Sequence, residues 1–319
     1  MRCLVTGVAG FVGSHLAERL LMDGHEVSGI DAFIDYYPRM LKERNLEQAR
    51  QWDTFSFTDG DLLQADLKGL LAGVDWVFHQ AAQAGVRASW GNEFLRYADC
   101  NVLATQRLLE AAMHSRTLRR FVYASSSSVY GNVAALPVLE ETLAQPVSPY
   151  GVTKLAAEHL CTLYHKEFNV PTVSLRYFTV YGPRQRPDMA FHRFCRVIVN
   201  NEDIQIFSDG QQTRDFTYIA DVIEANIGAA TSEAAVGQVM NIAGGSRVTI
   251  QHVLQLLQHI SGRCPRVRYE ARQPGDVLDI FADTRQARKL IAYNPTFSLV
   301  DGLVAEFEYI SRLYGSVRV

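Results

Sequence analysis

Two side chains four residues apart, Tyr150 and Lys154, are the pair in this sequence best suited to moving a proton. On a helix, residues at that spacing share a face. An ammonium beside a phenol stabilises the phenolate, so the tyrosine can act as a base near neutral pH. Upstream, Ser125-Ser126-Ser127-Ser128 follows the run Arg120-Phe121-Val122-Tyr123-Ala124. That run reads as a parallel strand, and ligands bind at the carboxyl ends of such strands. A serine placed there can bond the hydroxyl that Tyr150 deprotonates. A second constellation lies near the N-terminus, where Gly7, Gly10 and Gly13 space a Gly-x-x-Gly-x-x-Gly loop around Phe11 and Val12. The glycines permit a tight turn and close backbone approach to a pyrophosphate, and the following helix offers free N–H groups. Asp31 ends the next strand, where a carboxylate can bond the ribose hydroxyls of an adenosine. Ala32 and Phe33 follow with no arginine for a 2′-phosphate, so NAD is expected over NADP. Asp61-Leu62 falls at a turn that can lie beside the adenine; Asp61 also fits a solvated turn carboxylate.

The elements that must hold these residues alternate. Strands are expected at Arg2–Thr6, Glu26–Asp31, Asp75–His79, Arg120–Ala124 and Thr172–Arg176, with helical patterns at Ser14–Met22, Tyr97–Met113 and Thr153–Phe168. Such alternation predicts an α/β fold with a doubly wound parallel sheet covered on both faces. After Tyr181, Gly182, Pro183 and Pro187 mark a loop, and helical runs follow at Phe191–Val199, Asp221–Ala230 and Ile250–Ile260. This part reads as a smaller C-terminal lobe, from which Gln238–Ile242 can return to the sheet. The expected division is 1–180 for the dinucleotide and 181–319 for the substrate.

Composition narrows the partners. A formal net charge of -3 gives no global positive field for nucleic acid or anionic membrane. Five scattered cysteines without a CxxC pair suggest reduced thiols, with no metal. The first strand is expected to begin almost at Met1, leaving no room for a signal peptide, and no apolar run approaches the ~18 residues of a membrane helix. A cytoplasmic enzyme is the expectation.

Taken in order, these motifs resemble the extended short-chain dehydrogenase/reductase family, in particular its nucleotide-sugar epimerases and dehydratases. The resemblance spans nearly the whole chain. It is carried by the glycine loop, His79-Gln80-Ala81-Ala82, Ser125–Gly131, Tyr150/Lys154, Arg176–Pro183 and Thr213–Ile219. It implies a Rossmann-type domain binding NAD and a smaller lobe binding the nucleoside diphosphate. It assigns the catalytic hydroxyl to Ser126, with Ser127 and Ser128 left open, beside Tyr150 and Lys154. It adds Ala81, Ala82, Asn101 and Tyr177 to the cofactor contacts. Relatives often dimerise through a four-helix bundle, which the apolar positions of Tyr97–Met113 would suit, so a homodimer is expected.

In such enzymes Tyr150 would take the proton of the sugar 4-hydroxyl as the C4 hydride leaves to NAD, giving a 4-keto sugar. Dehydratases of this kind carry an Asp-Glu pair after the catalytic Ser/Thr, and decarboxylases usually a Glu. Here Ser127 and Ser128 stand in that stretch, so C4 epimerisation is favoured. Gln83–Ser89 and Phe178–Ala190 resemble the uronic acid 4-epimerases. That subgroup implies contacts from Arg87, and a sugar carboxylate held by Ser127, Ser128, Thr179 and Arg186. A planar guanidinium suits that task, though Arg186 also fits a solvated loop cation. Arg214 and Arg272 are candidates for the diphosphate, with Asp215 and Asp276 orienting them, and Phe207 and the backbone near Gln205 for uracil. His79 reads as structural, and Glu140-Glu141 as a capping or solvated pair. The expected reaction is UDP-glucuronate to UDP-galacturonate. Open alternatives are a UDP-glucose or UDP-N-acetylglucosamine epimerase, a decarboxylase or dehydratase, and an idle NAD-sensing protein on the same fold.

Overall fold

A computed structural model describes residues 1–271, 273–277 and 279–315. Its frame is one seven-stranded parallel sheet built from β1 (Arg2–Thr6), β2 (Glu26–Asp31), β3 (Phe55–Asp59), β4 (Trp76–His79), β5 (Arg120–Ser126), β6 (Thr172–Tyr177) and β7 (Val239–Ile242). The spatial order is β7-β6-β5-β4-β1-β2-β3, every pairing parallel. The chain reverses its direction of travel between β1 and β4, so a crevice opens at the carboxyl ends of those strands.

The strands are apolar on both faces because helices cover both. Val5, Val122, Val173 and Leu175 pack with Leu16, Ala17, Leu20 and Leu21 of α1 (Phe11–Met22). Their neighbours Leu4, Phe121 and Tyr123 face the other way, onto Leu108 and Leu109 of α2 (Ala104–Met113) and Ala157 of α3 (Pro149–Phe168). Ser148 caps α3 by accepting the Gly151 N–H at 3.1 Å, and Pro149 takes the first turn, where no N–H is needed. This start lies four residues ahead of the expected Thr153 and puts Tyr150 inside the helix.

Two expectations are corrected. The single helix over Tyr97–Met113 widens into a π-helical stretch at Ala98–Leu103, ahead of α2. The edge strand β3 has no counterpart in the expected set; only Phe55 and Phe57 of its five residues are shielded from solvent.

Past Tyr181 a separate apolar cluster forms. Phe191, Phe194 and Ile198 of α4 (Ala190–Asn200) meet Ile204, Ile206, Phe216 and Leu257, together with Leu303 and Ile310 of α6 (Leu299–Tyr314). Between them, α5 (Ile219–Thr231) packs back onto the α1 side of the sheet. No helix among the described residues is long and apolar enough to cross a membrane. Nor do three His, Cys, Asp or Glu side chains there group to hold a metal.

Candidate active site

Two cavities meet at the sheet's carboxyl edge. The first, about 1200 Å³, runs over the β1 and β4 ends and is lined by Gly7, Gly10, Phe11, Val12, Gly13, Asp31, Asp61, Leu62, Ala81 and Ala82. The second, about 2400 Å³, extends toward the α4 side. Tyr150, Tyr177, Tyr36 and Arg186 line both, while Lys154 lines only the first.

The first cavity fits a dinucleotide. A Cβ on Gly13 would stand 2.2 Å from the Gly7 carbonyl oxygen, and one on Gly7, whose φ is +67°, would stand 2.7 Å from the Ala81 nitrogen. Only glycine permits this approach. Gly10 caps α1 without a side-chain bond, leaving the first-turn amides and the positive helix end to a ligand. Asp31 accepts N–H bonds from Ala9 (3.1 Å) and Phe33 (2.8 Å). Burial raises its carboxyl above the usual range, and those bonds and the nearby Lys42 offset part of the rise.

At the junction, Tyr150 sits in the first turn of α3 and Ser126 at the end of β5, and both line the second cavity. Burial raises the phenol above its ordinary range, and the Ser126 hydroxyl and the Arg186 guanidinium offset only part of that rise. Lys154 follows one turn along, its ammonium 4.5 Å from the Tyr123 ring centroid. Burial pushes that ammonium down to about 7, against the opposing pull of Glu158. Burial thus favours the protonated phenol of Tyr150 and the uncharged amine of Lys154.

His79 is structural, as read. It is fully buried, with Nδ1 2.7 Å from Thr6 Oγ1 and Nε2 2.9 Å from Thr105 Oγ1. Thr105 spends its own proton on the Asn101 carbonyl, so His79 Nε2 donates and Nδ1 accepts. Burial drops the ring to about 3 and keeps it neutral.

The family model for the NAD dependent epimerase/dehydratase family matches residues 3–243. A Bacillus subtilis (strain 168) protein described as an uncharacterized UDP-glucose epimerase, YtcB, is 47% identical over 98% of this chain and 99% of its own. The chain belongs to the NAD dependent epimerase/dehydratase family. Within it, a UDP-glucuronate 4-epimerase of Thermodesulfobacterium geofontis is 37% identical over 94% of this chain and 93% of its own. The crystal structure of a UDP-glucuronic acid 4-epimerase from Bacillus cereus, in complex with UDP-glucuronic acid and NAD, superposes with a TM-score of 0.96. It is 46% identical and covers 98% of this chain and 100% of the other.

Most residues carried over from that epimerase/dehydratase pattern converge. Arg87, Ser126, Ser127, Ser128, Thr179, Arg186, Phe207 and Arg214 all line the second cavity. Arg87 lies over the Phe207 ring at 3.9 Å and pairs with Asp276 through two bonds of 2.8 and 3.2 Å. Tyr177 bonds Gln80 and Asn226 at the junction. Three placements differ from expectation. Asn101 is buried in the π-helical stretch behind the wall, where its amide joins the Gln83 backbone to Thr153 Oγ1. Asp215 accepts the Gly245 and Ala282 N–H groups and so orients backbone, where a cation was expected. Glu140 is turned inward, accepting the Asn241 N–H at 2.9 Å, where a capping or solvated carboxylate was expected. Arg272 lies outside the described residues.

The sequence reading missed Arg193, Arg196, Tyr36, Lys42 and Asp188. Arg193 and Arg196 stand three apart on α4 and both line the second cavity; that spacing marks one helix face. Burial, then Arg87 and Arg196, lowers the Arg193 guanidinium, the mark of cations gathered without enough anion.

Proposed function

We propose that this protein inverts carbon 4 of UDP-glucuronate, giving UDP-galacturonate. The observation that carries the reading is Tyr150 at the junction of a dinucleotide cavity and a cavity ringed by cations and hydroxyls, Ser126 among them.

The glycine loop, Asp31, Asp61, Leu62, Ala81, Ala82 and Tyr177 hold NAD, and Lys154 holds its nicotinamide ribose. When bound, NAD supplies the acceptor and donor of hydride at C4. Ser126 bonds the sugar 4-hydroxyl, and Tyr150 removes its proton. Once the 4-keto sugar has turned its other face, Tyr150 returns the proton to the new hydroxyl. Arg87, Arg193, Arg196 and Arg214 hold the diphosphate, and Phe207 faces the base. Ser127, Ser128, Thr179 and Arg186 hold the carboxylate. No carboxylate side chain stands in the Ser125–Ser128 stretch to act on C5 or C6, which supports return of the hydride over elimination.

The work divides between residues 1–180 for NAD and 181–319 for the nucleotide sugar, with β7 returned to the sheet. A cytoplasmic homodimer completes the reading. The association into a dimer is supported by the outward apolar residues Val152 and Leu163 of α3 and Leu95 and Leu103 on the adjoining helical segment.

The test is a panel of UDP-, GDP- and dTDP-sugars, with and without a carboxylate, followed by chromatography and mass analysis. Conversion of UDP-glucuronate at unchanged mass is expected, with NAD released from the protein on denaturation. Loss of about 44 or 18 mass units, those of CO2 and water, would turn the reading to decarboxylation or dehydration. NAD binding without turnover would leave a non-catalytic protein.

A further inference from the structure

Arg186 is already engaged in this structure. Its Nε donates to Asp188 Oδ1 and its Nη2 to Oδ2, both at 3.0 Å, a two-bond fork. Asp188 is in turn held from a distant loop: the Tyr36 hydroxyl donates to Oδ2 at 3.2 Å. Burial alone would raise the Asp188 carboxyl. Arg186, by charge and hydrogen bonds, and Tyr36 more than offset this and hold it below the usual range. Arg186 and Tyr36 line both cavities, and Asp188 lines the second. A carboxylate of the protein thus already occupies one of the two guanidinium edges able to receive a carboxylate through paired bonds.

We propose that Asp188 is a positioning residue that competes with the sugar carboxylate for Arg186 and so lets the uronate turn within the site. The inference rests on the reading of Arg186 as the uronate anchor.

Inversion at C4 requires the sugar to show both faces to one hydride donor. Between the two transfers the ring turns, and its carboxylate must leave one set of contacts and take another. A bare guanidinium would hold the carboxylate alike in substrate, intermediate and product. Such uniform attraction lowers KM without raising kcat, and it opposes the turn. It would also leave a largely buried cation unpaired while the carboxylate is in transit, which is costly. Asp188 answers both needs. It weakens the grip while the sugar is bound and supplies the counter-charge while the sugar moves. Tyr36 keeps it in register.

Two measurements test this. The first is calorimetric binding to the NAD-loaded Tyr150→Phe protein, which holds substrate without turning it over. Adding Asp188→Asn is expected to tighten UDP-glucuronate binding by roughly fivefold, the upper worth of a partly exposed ion pair, and to leave UDP-glucose binding unchanged. In a background that also carries Arg186→Gln, Asp188→Asn is expected to change neither sugar. The second measurement uses Tyr150-intact enzyme, where Asp188→Asn is expected to lower kcat and KM together on UDP-glucuronate.

Weaker or unchanged uronate binding would overturn the proposal, as would an equal change for both sugars, or a raised KM with lowered kcat. Asp188→Ser carries the same expectations should Asp188→Asn not purify folded. If the parent enzyme fails to epimerise UDP-glucuronate, the function reading falls on that result alone. The ratio of uronate to glucose binding then still decides whether Asp188 competes for Arg186.

Discussion

Arg176 grips both carboxylate oxygens of Glu158, Nη2 to Oε1 at 2.6 Å and Nε to Oε2 at 3.0 Å, one helical turn beyond Lys154. Glu158 also accepts from Ser125 Oγ at 2.6 Å, and Arg176 Nη1 donates to Tyr130 Oη at 2.7 Å and to the Glu140 carbonyl at 2.9 Å. The pair therefore ties α3 to β5 and β6 directly beneath the residues proposed for chemistry. Both side chains are buried, at 7% and 3% exposure, so breaking the pair strands a charge away from water. Glu158→Gln is expected to cost on the order of 3 kcal/mol of stability. Urea unfolding should show a lower midpoint at an unchanged slope. An unshifted midpoint would mean the pair holds nothing together.

Lys154 gives a prediction with a definite sign. Burial drops its ammonium to about 7 in the folded protein, while in the unfolded chain it titrates near its ordinary value of about 10.4. Between those values the unfolded state binds more protons, so folding releases one and stability rises with pH. The penalty for burying the lysine is fully present below pH 7 and is relieved as pH climbs toward 10. Lys154→Met removes that penalty. In NAD-free protein the mutant should be more stable than the parent at pH 7, by a margin that shrinks at pH 9. Equal margins at the two pH values would contradict the burial of this charge.

The Gly13 position tests the cofactor cradle apart from turnover. An alanine methyl there would stand 2.2 Å from the Gly7 carbonyl oxygen, closer than any real contact permits. The loop or α1 must shift, at roughly 1–3 kcal/mol for an overpacked site. The first-turn amides then no longer converge on one pyrophosphate. Gly13→Ala is expected to purify with much less NAD than the parent, measured as nucleotide released on denaturation. Full NAD content would place the pyrophosphate elsewhere.

What sequence revealed and what it hid divide by distance along the chain. The glycine loop, Asp31, the serine run and the Tyr150–Lys154 spacing are local patterns, and the structure brings them to one crevice. The true start of α3 was also legible, because Ser148-Pro149 is a cap followed by a first-turn proline. Strand β3 hid because it is an edge strand with only two apolar side chains among its five residues and none fully buried. The pairs that organise the site hid for another reason. Arg87 meets Asp276 across 189 residues and Tyr36 meets Asp188 across 152, so no local spacing announces either contact. The two-residue step from Arg186 to Asp188 was visible, but it says nothing of a fork until the loop is folded.

Arg186 joins the binding question to the chemical one. In Arg186→Ala the hydroxyls of Ser127, Ser128 and Thr179 still line the cavity, but the uronate carboxylate loses its charged partner. Truncating one side of a desolvated charge pair costs about 2–4 kcal/mol, so KM for UDP-glucuronate should rise on the order of thirtyfold or more. KM for UDP-glucose should hardly move. Arg186 also pulls the Tyr150 phenol down. Without it the phenolate forms at higher pH, and the acid limb of the rate profile should shift upward. The product should change as well. A 4-keto uronic acid is a β-keto acid, and it loses CO2 when the bond to the carboxyl aligns with the carbonyl π system. A carboxylate freed to rotate reaches that alignment, so a UDP-pentose should appear beside the epimer by mass analysis. Unaltered KM, pH profile and product together would remove Arg186 from the site.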